Sequence, residues 1–286
     1  MALAMPKILK EVLQLSTEWL AKSKSDSPRF EAEWLIGHAL GLSRIQLYTQ
    51  HDRTLMENEL DKVRILLRRR VAGEPLQYIC GEMDFYGLTL LVGPGVLIPR
   101  NDTEILVDHA RRLLKAGDRV LDLCTGSACI PLALQKSFKG GLSIDAVELS
   151  PEALVWARRN VEKTGLAVEL HEGDLFAPVA AAGPYALISA NPPYIGRDEA
   201  PSLAVEVRDH EPHLALFAED QGLALLHRIA TEAPRFLIPG GWLICEIGWR
   251  QGEAAIGLFA AAGFESIRVE KDHSGHDRVV IGRWSS

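Results

Sequence analysis

The sequence predicts an α/β protein: a seven-stranded, mostly parallel sheet wrapped by helices, preceded by a helical bundle domain and a β-hairpin connector. Three observations predict it. Apolar residues recur at helical spacing through residues 1–75. A glycine-broken stretch rich in apolar and aromatic residues fills 76–100. Over 101–286, short apolar strands alternate with helical segments, the pattern of a parallel sheet covered on both faces. The expected organisation is a helical domain over 1–75, a connector over 76–100 and an α/β domain over 101–286.

In the helical domain, Ile8, Leu9, Val12, Leu13, Leu15, Trp19 and Leu20 form one amphipathic stripe. Lys7, Lys10 and Glu11 interrupt it, so it reads as a helix and not as a signal peptide. Ser27 before Pro28 marks the next helix start, and Gly41 its end. Thr54 with Glu57 has capping-box spacing and predicts a helix to about Val71, stopped by Gly73 and Pro75. Arg68, Arg69 and Arg70 fall in its last turn and read as a solvated face favoured by the helix dipole. In the connector, Leu76 to Cys80, Phe85-Tyr86-Gly87 and Leu88 to Val92 read as short strands.

The α/β part opens with a helix capped by Asn101 or Asp102 and running through Leu114. Strands are expected at Val120–Leu123, Ile144–Leu149, Val168–His171, Ala186–Ser189 and Trp242–Ile247, with a final antiparallel pair at Ile267–Glu270 and Arg278–Ile281. Helices are expected at Ile130–Gln135, from Ser150-Pro151 to Val161 with Gly165 beyond, and at Leu223–Ala233 and Ala254–Ala261. Residues 195–219 lack periodicity and are expected to form a loop at the substrate entrance; His210 and His213 within it read as surface or packing residues.

Charge and cysteine usage exclude several classes. The 31 basic and 38 acidic residues give −7, divided as +2 over residues 1–75 and −9 over 76–286. An acidic α/β part argues against a stable grip on nucleic acid, which needs many cationic contacts to phosphate. Cys80, Cys124, Cys129 and Cys245 form no C-x-x-C pair, so neither a structural metal site nor a disulfide framework is expected. Set among apolar neighbours, they read as reduced core thiols of a cytoplasmic protein. No apolar run reaches the length of a membrane span.

In a parallel sheet, ligands bind beyond the carboxyl ends of the strands, so the residues there matter most. The first of these strands ends in Asp122-Leu123-Cys124-Thr125-Gly126-Ser127-Ala128, a small-residue turn that lets backbone approach a ligand. It lacks the full dinucleotide fingerprint, so a nicotinamide cofactor is not favoured. The second strand ends at Glu148, a carboxylate able to accept both hydroxyls of a ribose. After the third stand Asp174, suited to an adenine amine, and Leu175 and Phe176, suited to clamp a ring. The fourth ends in Asn191-Pro192-Pro193-Tyr194. Two prolines remove two donors and hold carbonyl acceptors in set directions; Asn191 adds a side-chain acceptor and Tyr194 an aromatic face. Such acceptors can take both hydrogens of a planar –NH₂, pushing electron density back onto its nitrogen for attack on an electrophilic methyl. Together these residues describe an S-adenosylmethionine-dependent methyltransferase acting on a planar amino nitrogen.

Over nearly its whole length the chain resembles the bacterial protein-(glutamine-N5) methyltransferases of the HemK/PrmC type. Ser27-Pro28-Arg29 with Ala32-Glu33 resembles the family's N-terminal domain, and Gly73-Glu74-Pro75-Leu76-Gln77-Tyr78-Ile79 with Phe85-Tyr86-Gly87 its connector. Leu97-Ile98-Pro99-Arg100, Thr103-Glu104, Glu211-Pro212, Ala215-Leu216, Glu246-Ile247-Gly248, Gly275 and Asp277-Arg278-Val279-Val280 are similar to its later motifs. The resemblance implies a Rossmann-like class I methyltransferase domain that methylates the glutamine of the Gly-Gly-Gln loop of peptide-chain release factors, turning S-adenosylmethionine into S-adenosylhomocysteine. It implies a cofactor site of Cys124, Thr125, Gly126, Ser127, Ala128, Glu148, Asp174, Leu175 and Asn191, with no metal. It implies a glutamine pocket of Asn191, Pro192, Pro193 and Tyr194, with Asn191, Pro192 and Tyr194 as the catalytic group and no strong general base. The helical domain is expected to recognise the protein substrate.

Cys124 and Ala128 stand where glycines are usual, Glu148 where aspartate is usual, and Asn101 where proline is usual. A side chain at 124 or 128 fits with a negative φ, whereas a positive φ there would weaken cofactor binding. The alternatives are a methyltransferase for a ribosomal-protein glutamine or a nucleic-acid adenine, and a cofactor-binding or assembly protein with a decayed site.

Overall fold

A computed structural model describes residues 7–23 and 25–285. The chain forms two compact units: one runs up to Gly81 and includes Val205–His210, the other comprises Glu82–Ala204 and Glu211–Ser286.

The first unit is helical. Its chain order is α1 (Leu9–Lys22), α2 (Pro28–Leu40), α3 (Arg44–Thr49), α4 (Glu57–Val71) and α5 (Leu76–Cys80). Pro28 opens α2 as expected and Gly41, at φ 64°, ends it, although the Ser27 side chain makes no capping bond. The start of α4 differs from expectation. Thr54 is committed to an extended bridge with Ile8, so the chain turns helical only after Met56, whose N–H bonds the Glu59 carboxylate at 3.0 Å. Residues 76–80 also differ, being one helical turn and not a strand. Pro75 stands at its N-cap with extended backbone, Ile79 donates to the Pro75 carbonyl at 3.1 Å, and Gly81 ends it at φ 78°. So short an apolar run carries no periodicity that separates helix from strand.

Leu9, Leu20, Leu35, Ile36 and Leu47 are the fully buried centre of this unit. Two acids are buried with them, each neutralised. Glu33 accepts from Arg29 at 2.6 Å, Arg44 at 2.7 Å and the Tyr48 hydroxyl. Glu31 receives a two-pronged bond from Arg70 at 2.9 and 2.8 Å, and Arg70 also pairs with Glu206 at 2.6 Å. The arginine run is therefore not simply a solvated face. Arg68 is exposed, but Arg69 grips Glu74 and Arg70 is mostly buried.

The second unit begins with a hairpin, β1 (Glu82–Phe85) and β2 (Leu88–Leu91), turned by Tyr86 and Gly87. Both turn residues have positive φ, the two-residue turn that matches strand twist. Then follow α6 (Thr103–Leu113), β3 (Arg119–Leu123), α7 (Cys129–Ser137), β4 (Ser143–Glu148), α8 (Pro151–Thr164), β5 (Glu169–Glu172) and β6 (Tyr185–Ala190). The stretch expected as loop contains a 3-10 turn (Arg197–Ser202), α9 (Val205–His210) and α10 (His213–Leu216); α9 belongs to the first unit. The chain closes with α11 (Ala224–Glu232), β7 (Leu237–Glu246), α12 (Gly252–Ala261), β8 (Glu265–Lys271) and β9 (Asp277–Arg283).

The sheet has seven strands in the order β5-β4-β3-β6-β7-β9-β8, parallel except for the antiparallel β9. Alternate strand residues feed two apolar layers. Leu121, Leu123, Ile188 and Leu243 pack with Leu226, Ile229 and Phe259 from α11 and α12. Val120, Ile144, Leu187 and Ile244 pack with Leu106, Leu132 and Leu134 from α6 and α7. Among the described residues, no helix is long and apolar enough to cross a membrane.

Two buried polar side chains hold loops to this frame. Asn160 on α8 is fully buried; its oxygen accepts from Leu91 N–H at 2.6 Å and its nitrogen donates to the Leu91 and Ser127 carbonyls at 3.0 Å each. Asp122, on the central strand, is equally buried and accepts from the Thr125 and Ser189 hydroxyls at 2.6 and 2.7 Å. Burial outweighs those two bonds and, with the nearby Glu148 charge, raises the Asp122 carboxyl from its ordinary value to about 7. A raised acid holds its proton longer folded than unfolded, so its ionisation subtracts stability as pH rises from about 4 to about 7. Asp122→Asn is neutral throughout and should remove this slope, which reaches about 1 kcal/mol per pH unit. Denaturant unfolding at stepped pH reads it; a variant as pH-sensitive as the parent would sink the assignment.

Candidate active site

Strand register assembles the site. Val147, Leu123, Ala190 and Cys245 lie in one row across β4, β3, β6 and β7. The next residue on each strand is therefore Glu148, Cys124, Asn191 and Glu246, four tips side by side. The sheet's order reverses between β3 and β6, where the ligand crevice of such a sheet opens. A cavity of about 110 Å³ lies there.

The turn after β3 crosses the tip of β4. Thr125 N–H donates to the Val147 carbonyl at 3.1 Å, and Gly126 N–H to Glu148 Oε2 at 2.8 Å. Glu148 Oε1 accepts from Ser150 N–H at 2.9 Å, which leaves each carboxylate oxygen a further lone pair. Burial pushes the Glu148 carboxyl up, against the pull of those backbone donors. Of the two cases open at the substituted positions, the structure shows the positive one: Cys124 stands at φ 56° and Ala128 at 63°. The turn needs left-handed backbone at both places, and Leu175 adds a third at 48°.

Asn191 lies among buried polar partners. Its Nδ2 donates to Thr103 Oγ1 at 3.3 Å, and Thr103 donates to Glu246 Oε2 at 2.6 Å. The Tyr194 hydroxyl donates to Glu246 Oε1 at 3.2 Å. Burial raises the Tyr194 phenol, and the Glu246 charge raises it further, so it stays protonated and acts as a donor. A separate clamp holds the segment before α6: buried Glu211 accepts from Ile98 N–H at 3.1 Å and from Arg100.

Of the residues singled out from the sequence, Cys124, Thr125, Gly126, Ser127, Glu148, Asp174, Leu175, Asn191 and Pro193 line the cavity; Ala128, Pro192 and Tyr194 do not. Ala128 and Pro192 are buried, and Tyr194 is turned to Glu246. Asp174 is half-exposed and paired with Arg228 at 2.8 Å. Cys124 is half-buried in the cavity wall and is not a core thiol, whereas Cys80, Cys129 and Cys245 are buried. His210 and His213 line no part of it. Arg100, Thr103, Pro212, Leu214 and Ala215 do.

The role of Glu246 was not drawn from the sequence, although a lone acid closing the apolar run Trp242–Cys245 is a usable signal. The partnership of Asp174 with Arg228, 54 positions away, leaves no such signal. One further cluster, Asp145, Glu169 and His171, brings possible ligand atoms within 4.8 Å of one another. Arg119 already sits 3.0 Å from the Asp145 carboxylate there.

The chain matches the family description "PrmC N-terminal domain" over residues 11–81 and "Methyltransferase small domain" over 100–207. It is 42% identical over 275 residues to a release factor glutamine methyltransferase of Geobacter sulfurreducens, spanning 96% of each chain. It is 40% identical to one of Vibrio cholerae, spanning 97% of each. A crystal structure of a methyltransferase from Pyrococcus furiosus superposes with a TM-score of 0.55 at 20% identity, over 79% of this chain and 99% of that one, and so shares the fold. By sequence along its length, this chain belongs to the release factor glutamine methyltransferase family.

Proposed function

We propose that this protein transfers a methyl group from S-adenosylmethionine to the side-chain amide nitrogen (N5) of the glutamine in the Gly-Gly-Gln motif of peptide-chain release factors. The observation that carries the reading is full-length similarity to relatives named for release factor glutamine methylation. The position of Asn191 at the cavity supports it chemically.

In this reading Cys124, Thr125, Gly126, Ser127, Ala128, Glu148, Asp174, Leu175 and Asn191 form the cofactor site. The residues suit such a ligand. Ser127 lines the cavity, and its buried Oγ, beside the Cys129 thiol, has no nitrogen or oxygen partner among the described residues. Glu148 keeps acceptor capacity for ribose hydroxyls, and Leu175 supplies apolar surface. The bound cofactor supplies an electrophilic methyl group on a sulfonium.

The chain's own residues prepare the nucleophile. A carboxamide nitrogen is weak because its lone pair is delocalised into the carbonyl. Asn191 Oδ1 and the Pro192 carbonyl accept its two hydrogens, which orients the nitrogen and returns density to it. Pro193 lines the cavity; Pro192 and Tyr194 lie outside its lining, and in this reading they join the glutamine pocket when substrate is bound. No general base is assigned, since methylation makes the nitrogen cationic and its proton then leaves readily. The −9 balance over residues 76–286 weighs against stable nucleic-acid binding, and a release-factor substrate supports work in the cytoplasm.

The strained turn enters stability before it enters affinity, because its positive φ values belong to the fold itself. At Ala128 a left-handed backbone costs about 1–2 kcal/mol. Glycine would remove that cost but lose about 0.8 kcal/mol of buried methyl and 0.5–1 kcal/mol to chain freedom.

Incubation of a release factor with enzyme and S-adenosylmethionine should add one methyl to its Gly-Gly-Gln peptide by mass spectrometry; an unmodified peptide refutes the substrate. Asn191→Ala should lower turnover by about tenfold or more, and an unchanged kcat would remove its role. Ala128→Gly should move stability by less than about 1 kcal/mol, whereas Ala128→Val, branched and overpacked, should lose about 2 kcal/mol and weaken cofactor binding in a calorimetric titration. Equal tolerance of both substitutions would contradict the strained backbone.

A further inference from the structure

We propose that Thr103 and Glu246 are positioning residues that lock the side-chain amide of Asn191 in one of its two flips, nitrogen inward and oxygen toward the cavity. The proposal deepens the reading above and rests on it, since it gives Asn191 its acceptor face.

The hydrogens available at the site fix the orientation. An ionised carboxylate only accepts, and a threonine hydroxyl has a single hydrogen to give. Thr103 gives it to Glu246 Oε2 at 2.6 Å. Its oxygen is then left with lone pairs, and the group that meets it is the Asn191 side chain at 3.3 Å. Only the NH₂ end can fill that contact. The flipped amide would set oxygen against oxygen with no hydrogen between them, in a place where Thr103 and Glu246 are each 1% exposed and no solvent compensates. Oδ1 is thereby left as the acceptor offered to a substrate amide. Tyr194 takes Glu246 Oε1, so neither carboxylate oxygen is free to turn away from the chain.

The lock holds while Glu246 is ionised. Burial pushes that carboxyl up, and nearby Asp102 pushes the same way; Arg278 opposes both, with the Thr103 and Tyr194 hydroxyls on its side. Arg278, from β9, also pairs with Asp272 at 3.1 Å and Asp102 at 3.4 Å. Cys129, at the start of α7, senses the Glu246 charge, and Arg100 acts on Tyr194. A proton on Oε2 reverses the chain of donors. Glu246 then donates to Thr103, whose hydrogen is released toward Asn191, and the amide turns its nitrogen to the cavity. Transfer should therefore fade on the acid side as Glu246 protonates.

The test measures transfer to a release factor from roughly pH 6 to pH 9 for the parent and four variants, with S-adenosylmethionine binding followed by calorimetry. Glu246→Gln mimics the protonated acid, because its NH₂ can donate to Thr103. Expected are losses in kcat of about tenfold or more for Thr103→Val and Glu246→Gln, with the KM for release factor little changed. Thr103→Ser should restore near-parental kcat, and the acid limb should vanish in Glu246→Gln. Should Thr103→Val fail to bind cofactor because it has not folded, the serine variant and the Glu246→Gln pH profile decide alone. If Asn191→Ala is impaired while Glu246→Gln keeps parental kcat and pH profile, the lock is refuted and the reading of Asn191 survives. If Asn191→Ala is fully active, the reading of Asn191 falls and the lock with it.

Discussion

The site depends on strand register. Pairing Val147, Leu123, Ala190 and Cys245 in one row commits the next four residues to stand together at the tips of β4, β3, β6 and β7. A slip of one residue would reverse every side chain's face and bury the wrong set. The register is held because each face packs against its own layer: Leu121 and Leu123 fit one while Val120 fits the other. The hydrophobic requirement that builds the core thus also aligns Glu148, Cys124, Asn191 and Glu246.

Polar groups set deep in that core convert alignment into geometry. Asp122 draws Thr125 back over the strand it follows, Asn160 ties the same turn to β2, and Glu148 catches its Gly126 amide. Each bond replaces water lost on burial, and each makes a loop behave as part of the sheet. The turn so held accepts left-handed backbone at Cys124 and Ala128, residues ill-suited to it. Strain there persists because the surrounding bonds over-determine the path.

The parallel sheet, its helices and the terminal antiparallel pair were legible because each follows a period set by burial: two for strands, near four for helices. The Asn191 motif was legible because two prolines after a strand restrict the chain so tightly. Failures cluster where local signals were short or shared. Leu76–Cys80 is apolar enough for either structure, and it folds as one helical turn closed by Gly81. Thr54 had capping chemistry but was claimed by a bridge to Ile8. Arg70 looked like part of a charged face until Glu31, 39 positions away, was found beneath it.

The sequence by itself determined the succession of sheet strands and their covering helices, the identity of the strand-tip residues and the kinship those motifs express, because these rest on local propensity and on residue type. Tertiary structure alone decided the φ of Cys124 and Ala128, the raised Asp122 carboxyl, and the meeting of Thr103 with Glu246 across 143 positions. Backbone strain, desolvation and hydrogen-bond direction depend on neighbours brought together from distant parts of the chain, and no local pattern carries them.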